Sequence, residues 1–135
     1  MRIFISYKFT GVPLADLNST VVPLISKLRE AGFDVFCNLE RDSVYVQEKW
    51  TATQIMDECF TELDKCNYHI TFVAPDTAMG EGMLIELGYA CKMKIPTMML
   101  LPDKFRSISA KAVVDDIITY SDMNDLLEKL IDKII

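Results

Sequence analysis

A three-layer α/β/α sandwich around a five-stranded parallel sheet is the α/β fold that this sequence predicts, on three observations. Short apolar runs alternate with longer segments of helical periodicity, the pattern of βαβ units. The chain has 135 residues, room for one domain of common size, so residues 1–135 read as a single domain. Half of the residues are hydrophobic and a quarter charged, which supplies a compact core.

Ile3-Phe4-Ile5 is the first strand. Pro13 opens a helix whose apolar positions Leu14, Leu17, Val21, Leu24, Ile25 and Leu28 recur every three or four residues, and Gly32 ends it. Phe33–Cys37 is the second strand. The polar stretch Asn38–Glu48 reads as a loop of functional length, and Trp50, Ile55, Met56, Cys59, Phe60 and Leu63 mark the second helix. Tyr68–Ala74 is the third strand, followed by a Gly- and Asp-rich turn from Pro75 to Gly82 and a helix from about Met83 to Met93. Ile95–Leu101, closed by Pro102, is the fourth strand. Asp103–Val114 reads as irregular, Ile117-Ile118-Thr119 as a short strand, and Leu126, Leu127, Leu130, Ile131 and Ile134 as the buried stripe of a last helix. Right-handed crossovers place helices on both faces of such a sheet, giving a flavodoxin-like or Rossmann-like sandwich.

Charge and composition exclude several functions. Lys and Arg total 14 and Asp and Glu 20, a net charge of −6, the wrong sign for a nucleic acid polymer or an anionic membrane. No apolar stretch approaches the ~20 residues that cross a bilayer, and the N-terminus lacks a signal-peptide pattern, so a cytoplasmic location is expected. Cys37, Cys59, Cys66 and Cys91 show no zinc-ligand spacing and read as free thiols. His69 lies in an apolar run and reads as a strand histidine. Neither a metal nor a cofactor is expected.

In a sheet of this kind, ligands bind beyond the carboxyl ends of the strands. Gly80-Glu81-Gly82 there permits close backbone approach, and the following helix presents free N–H groups to an anion. Glu86 sits one turn inside that helix among apolar neighbours, where an unpaired carboxylate is costly once buried. Tyr7 and Phe9, just after the first strand, offer flat faces for a nucleobase, whereas Trp50 reads as core packing. Tyr89, three residues after Glu86, shares a helix face with it and could orient the carboxylate.

Glu86-Leu87-Gly88-Tyr89-Ala90 resembles the E-L-G-x-A signature of the nucleoside 2-deoxyribosyltransferase family, which includes the nucleoside 5′-monophosphate N-hydrolases. Ile3-Phe4-Ile5 with Phe9-Thr10 is similar to the family's first strand and substrate loop, and Ala112–Leu126 to its terminal strand and helix. The resemblance implies cleavage of an N-glycosidic bond with Glu86 as nucleophile and transfer of a deoxyribosyl group to another nucleobase. Hydrolysis of a nucleoside 5′-monophosphate is the alternative. The second acid of the family falls, by strict alignment, on Cys59, leaving Asp57, Glu58 or Glu81 as proton donor. Gly80 stands where the transferases have an aspartate and the hydrolases a phosphate-binding serine. Lys8, with Ser107 or Ser109, is expected to meet a 5′-phosphate if there is one. The implied partners are a small nucleoside or nucleotide and a nucleobase, and the implied assembly is a homo-oligomer. A Toll/interleukin-receptor domain, resembled by Ile3-Phe4-Ile5-Ser6-Tyr7 and Arg29–Phe36, ranks third, and a non-enzymatic interaction module fourth.

Overall fold

The computed structural model describes residues 1–75, 78–106 and 109–134. Its strands are β1 (Arg2–Ser6), β2 (Asp34–Phe36), β3 (Tyr68–Phe72), β4 (Thr97–Pro102) and β5 (Asp116–Tyr120). Its helices are α1 (Leu14–Glu30), α2 (Asp42–Gln47), α3 (Ala52–Lys65), α4 (Glu81–Lys92), α5 (Ser109–Val113) and α6 (Met123–Ile134). All strand pairings are parallel, in the order β2-β1-β3-β4-β5. The predicted five-stranded α/β sandwich is therefore observed, in its flavodoxin-like strand order. The order reverses between β1 and β3, which opens a crevice beyond their carboxyl ends.

Both faces of the sheet are covered, so the strands read as continuous apolar runs rather than alternating ones. Ile3, Ile5, Ile70, Phe72, Met98 and Leu100 pack on one face against Leu17, Val21, Leu24 and Leu28 of α1 and Leu126 and Leu130 of α6. On the other face Phe4 meets Cys59, Leu63 and Ala90, and Met99 and Leu101 meet Met83, Leu87 and Ala110. Pro23 lies inside α1 without ending it, because the buried stripe holds the helix together where one backbone hydrogen bond is lost. No helix among the described residues is long and apolar enough to cross a membrane.

Three stretches differ from the sequence expectation. Asn38–Glu48 is a 3-10 turn over Asn38–Arg41 followed by α2, anchored by buried Tyr45. Trp50 lies outside α3, which starts after a reciprocal cap in which the Gln54 N–H donates to Thr51 Oγ1 and the Thr51 N–H to Gln54 Oε1. The indole instead packs on Tyr45, with ring centroids 5.0 Å apart, and the Arg41 guanidinium lies over both rings. Asp103–Val114 is not wholly irregular, since it contains α5.

Two helices end in the same motif with different residues. After α1 the Phe33 N–H bonds the Leu28 carbonyl and the Gly32 N–H that of Arg29, with Gly32 at φ +95°. After α4 the Ile95 N–H bonds Ala90 and the Lys94 N–H bonds Cys91, but the left-handed position is Lys94 at φ +58°. A Cβ at Gly32 would meet nothing within 4 Å, so only backbone strain opposes it. Gly32→Ala should lower unfolding free energy by about 1 kcal/mol, and Lys94→Gly should raise it by about 0.5 kcal/mol after the added chain entropy. Denaturant titration of both variants checks the pair, and equal signs would contradict it.

Candidate active site

The carboxyl end of β1 and the first two turns of α4 bring the expected residues to one cavity of about 550 Å³. Tyr7, Lys8 and Phe9 from the loop after β1 form one wall, and Gly80, Glu81 and Gly82 at the start of α4 another. Glu86 closes the floor, 5% exposed, and Asn38, Met56 and Met79 are among the remaining lining residues. Such a volume suits a small molecule. A second cavity of about 390 Å³ lies on the α1 side of the same loop, but its polar lining of Lys8, Asp16, Ser19 and Thr20 contains no buried reactive group.

Glu86 is held from beneath. Ser6, the last residue of β1, donates its hydroxyl to Glu86 Oε1 at 2.7 Å, and the same Oγ lies 2.8 Å from His69 Nε2. The Cys59 thiol lies near the carboxylate and helps hold its proton affinity down, and Asn38 Nδ2 reaches Cys59 Sγ at 3.6 Å. Burial pushes the Glu86 carboxyl up to about 7, against the pull of its Ser6 and Cys59 donors. Burial pushes His69 down to about 3, so its ring is neutral at ordinary pH. Tyr7 is buried, and its phenol is raised far above its usual range by desolvation. It meets Phe9 edge-on at 6.5 Å, while Phe9 is exposed and free to contact a ligand.

Other predicted residues are turned elsewhere. Glu58 accepts two hydrogen bonds from Arg41, at 2.9 and 2.8 Å, and one from the Tyr45 hydroxyl at 2.6 Å. Arg41 holds that carboxyl below the usual range, which unfits it as a proton donor. Asp57 is exposed on the next position of α3. Cys59 takes the inward position, and at ~100° per residue on a helix this turns Glu58, one position before it, and Asp57, two before it, away. The Tyr89 hydroxyl donates to Asp64 at 2.6 Å and its ring packs at a tilt on Phe60, so it is engaged away from Glu86. Ser107 lies outside the described residues. Ser109 begins α5. Glu81 is the remaining candidate acid, and it lies on the cavity wall. Ser6 and Asn38 were not singled out in the sequence, although Ser6 ends the first strand at the ligand-binding edge. No group of three His, Cys, Asp or Glu among the described residues could hold a metal ion.

The family model described as nucleoside 2-deoxyribosyltransferase matches residues 12–123, most of the chain and all of α4. This chain belongs to the nucleoside 2-deoxyribosyltransferase family. The matched span includes Arg29–Phe36, half of the Toll/interleukin-receptor resemblance. Among solved structures the chain is similar to a CMP N-glycosidase of Clostridium botulinum (21% identity, TM-score 0.71, covering 96% of this chain and 98% of that one). It is also similar to a 2-deoxyribosyltransferase of Bacillus psychrosaccharolyticus (18%, 0.74, 94% and 90%) and a conserved protein of Enterococcus faecalis (15%, 0.71, 99% and 98%). These likenesses show the shared fold. No curated protein sequence matches. The family is enzymatic and acts on nucleosides or nucleotides.

The burial of Glu86 has a consequence for stability. Its pKa is higher folded than unfolded, so the native state holds its proton more tightly, and stability falls as pH rises from the unfolded value of 4.5 through about 7. Glu86→Gln removes this loss. Relative to the parent, the variant should gain on the order of 3 kcal/mol between pH 4 and pH 8. Thermal unfolding at the two pH values measures it, and a pH-independent difference would refute the burial argument.

Proposed function

We propose that this chain cleaves the N-glycosidic bond of a nucleoside 5′-monophosphate, with Glu86 as the nucleophile. The ionised carboxylate attacks C1′ as the bond to the base breaks, and the departing nitrogen keeps the electron pair and takes a proton. Glu81, at the cavity wall, is the carboxyl placed to give that proton. Water then attacks C1′ of the ester, returns a proton to Glu81, and frees the sugar phosphate with its configuration retained.

The observation that carries the phosphorylated substrate is the packing of Lys8 on Gly80. A Cβ at position 80 would stand 3.1 Å from Lys8 Cγ, so the missing side chain lets the lysine stem lie across the start of α4. None of the ion pairs among the described residues uses Lys8. The α4 backbone hydrogen bond of the Leu84 N–H runs to the Gly80 carbonyl, so among the described residues the preceding helical N–H groups have no intrahelical partner and can face an anion. An ammonium beside a helix N-terminus suits phosphate oxygens and offsets the net charge of −6 locally.

Transfer between 2′-deoxynucleosides is a second reading. The apolar wall of Tyr7, Phe9, Met56 and Met79 favours it, since an acceptor base would stack there in place of water. Two incubations separate the readings: a panel of nucleoside 5′-monophosphates alone, and a 2′-deoxynucleoside with a different free base. Base release from a monophosphate is expected, abolished in Glu86→Ala. Lys8→Met should raise KM for the monophosphate about tenfold while leaving that for the nucleoside unmoved. Exchange without hydrolysis would select the second reading, and full turnover by Glu86→Ala would exclude both.

A further inference from the structure

We propose that Ser6 and His69 form a buried, one-directional hydrogen-bond relay that positions Glu86 and favours its ionised form. The imidazole Nε2–H donates to Ser6 Oγ, and the single hydroxyl hydrogen of Ser6 donates to Glu86 Oε1. His69 is thereby a positioning residue acting through Ser6.

The direction follows from counting hydrogens. Ser6 Oγ lies within hydrogen-bond distance of both Glu86 Oε1, at 2.7 Å, and His69 Nε2, at 2.8 Å. An ionised carboxylate only accepts, so the one serine hydrogen goes to Glu86 and the imidazole must supply its own hydrogen to Ser6. A neutral ring protonated at Nε2 leaves Nδ1 as a bare acceptor. Nδ1 is a buried atom without a hydrogen-bond partner, in a residue with no exposed surface. The opposite tautomer would bury an orphaned Nδ1–H donor, the rarer and costlier case. Imidazolium would bury the same orphan together with a charge.

The topology explains the pairing. His69 on β3 is in register with Phe4 of β1, two residues before Ser6, and the two rings lie 5.9 Å apart on the face covered by α3 and α4. A neutral acid protonated at Oε2 would still accept the serine hydrogen at Oε1, but a hydroxyl bonds an ionised carboxylate roughly twice as strongly as a neutral one. The relay thus opposes the desolvation that favours the neutral acid.

Other titratable groups face Glu86 from each surrounding element. They are Tyr7 and Lys8 after β1, Cys37 after β2, Cys59 on α3 and Glu81 on α4. Burial raises Tyr7, Cys37 and Cys59, Cys37 to about 12, so these three do not titrate near neutrality.

His69 is the sole histidine of the chain, which makes the relay directly observable. With ¹⁵N-histidine, the unmutated protein should show a neutral, Nε2-protonated ring that does not titrate between about pH 5 and pH 9. With ¹³C-carboxyl glutamate, the Glu86 signal, identified by its absence in Glu86→Gln, should titrate about one pH unit higher in Ser6→Ala and in His69→Phe. It should return toward the parent midpoint in His69→Gln, whose amide can again donate to Ser6. An Nδ1-protonated or titrating ring would overturn the relay, as would an unmoved midpoint in Ser6→Ala. If His69→Phe fails to fold, the tautomer and Ser6→Ala still decide. The consequence for turnover rests on Glu86 being the nucleophile: the acid limb of kcat/KM should shift with the same midpoint. Absence of turnover in the unmutated protein would refute the functional reading and leave the spectroscopic test standing.

Discussion

The Glu86 carboxylate is largely withdrawn from solvent, and much of the surrounding architecture answers to that. Taking a carboxylate out of solvent is unfavourable unless donors replace the lost hydration. The fold supplies a hydroxyl donor, Ser6, from the end of β1 and sets the Cys59 thiol of α3 near the same carboxylate. The result is a group whose affinity for protons is raised by burial and held in check by its donors, so that it changes charge close to neutral pH. The parallel sheet makes this possible. Its strand order reverses between β1 and β3, so an acid on the helix after β3 hangs over the end of β1.

Much of the fold was legible because the strands are buried on both faces, which leaves continuous apolar runs such as Ile95–Leu101 and Tyr68–Ala74. The segment after β2 was not legible, because α2 is held by tertiary contacts of Tyr45 and Arg41 and has no amphipathic repeat of its own length. At the site, Glu86 and its flanking glycines carry a local signature, whereas their supports do not. Ser6 and His69 are 63 positions apart and Ser6 and Glu86 80 apart, and only strand register brings them together. Asp57 and Glu58 illustrate the reverse case. Acidic residues next to the aligned position are chemically apt, but a helix offers its partner one residue in about 3.6, and Cys59 occupies that place.

Glu58 then has a different task. With Arg41 and Tyr45 it ties α2 to α3, and Arg41 also covers the Tyr45 and Trp50 rings. This cluster fixes the segment that carries Asn38, and Asn38 in turn touches Cys59. The wall of the cavity opposite α4 is therefore held by ionic and aromatic contacts outside the cavity itself.

The division of labour between the two sheet faces bears on how such a protein can change. The buried side chains under α1 and α6 are aliphatic, aromatic or sulfur-bearing, while the face under α3 and α4 interleaves Ser6, His69 and Thr71 with its hydrophobic residues. Side chains alternate along each strand, so neighbouring residues of one strand serve separate ends. Ile5 and Ile70 belong to the packed apolar core, whereas Ser6 and His69 carry the hydrogen bonds that reach Glu86. One thin sheet thus assigns core packing and support of the buried carboxylate to separate side chains, so that a change on one face leaves the contacts of the other in place.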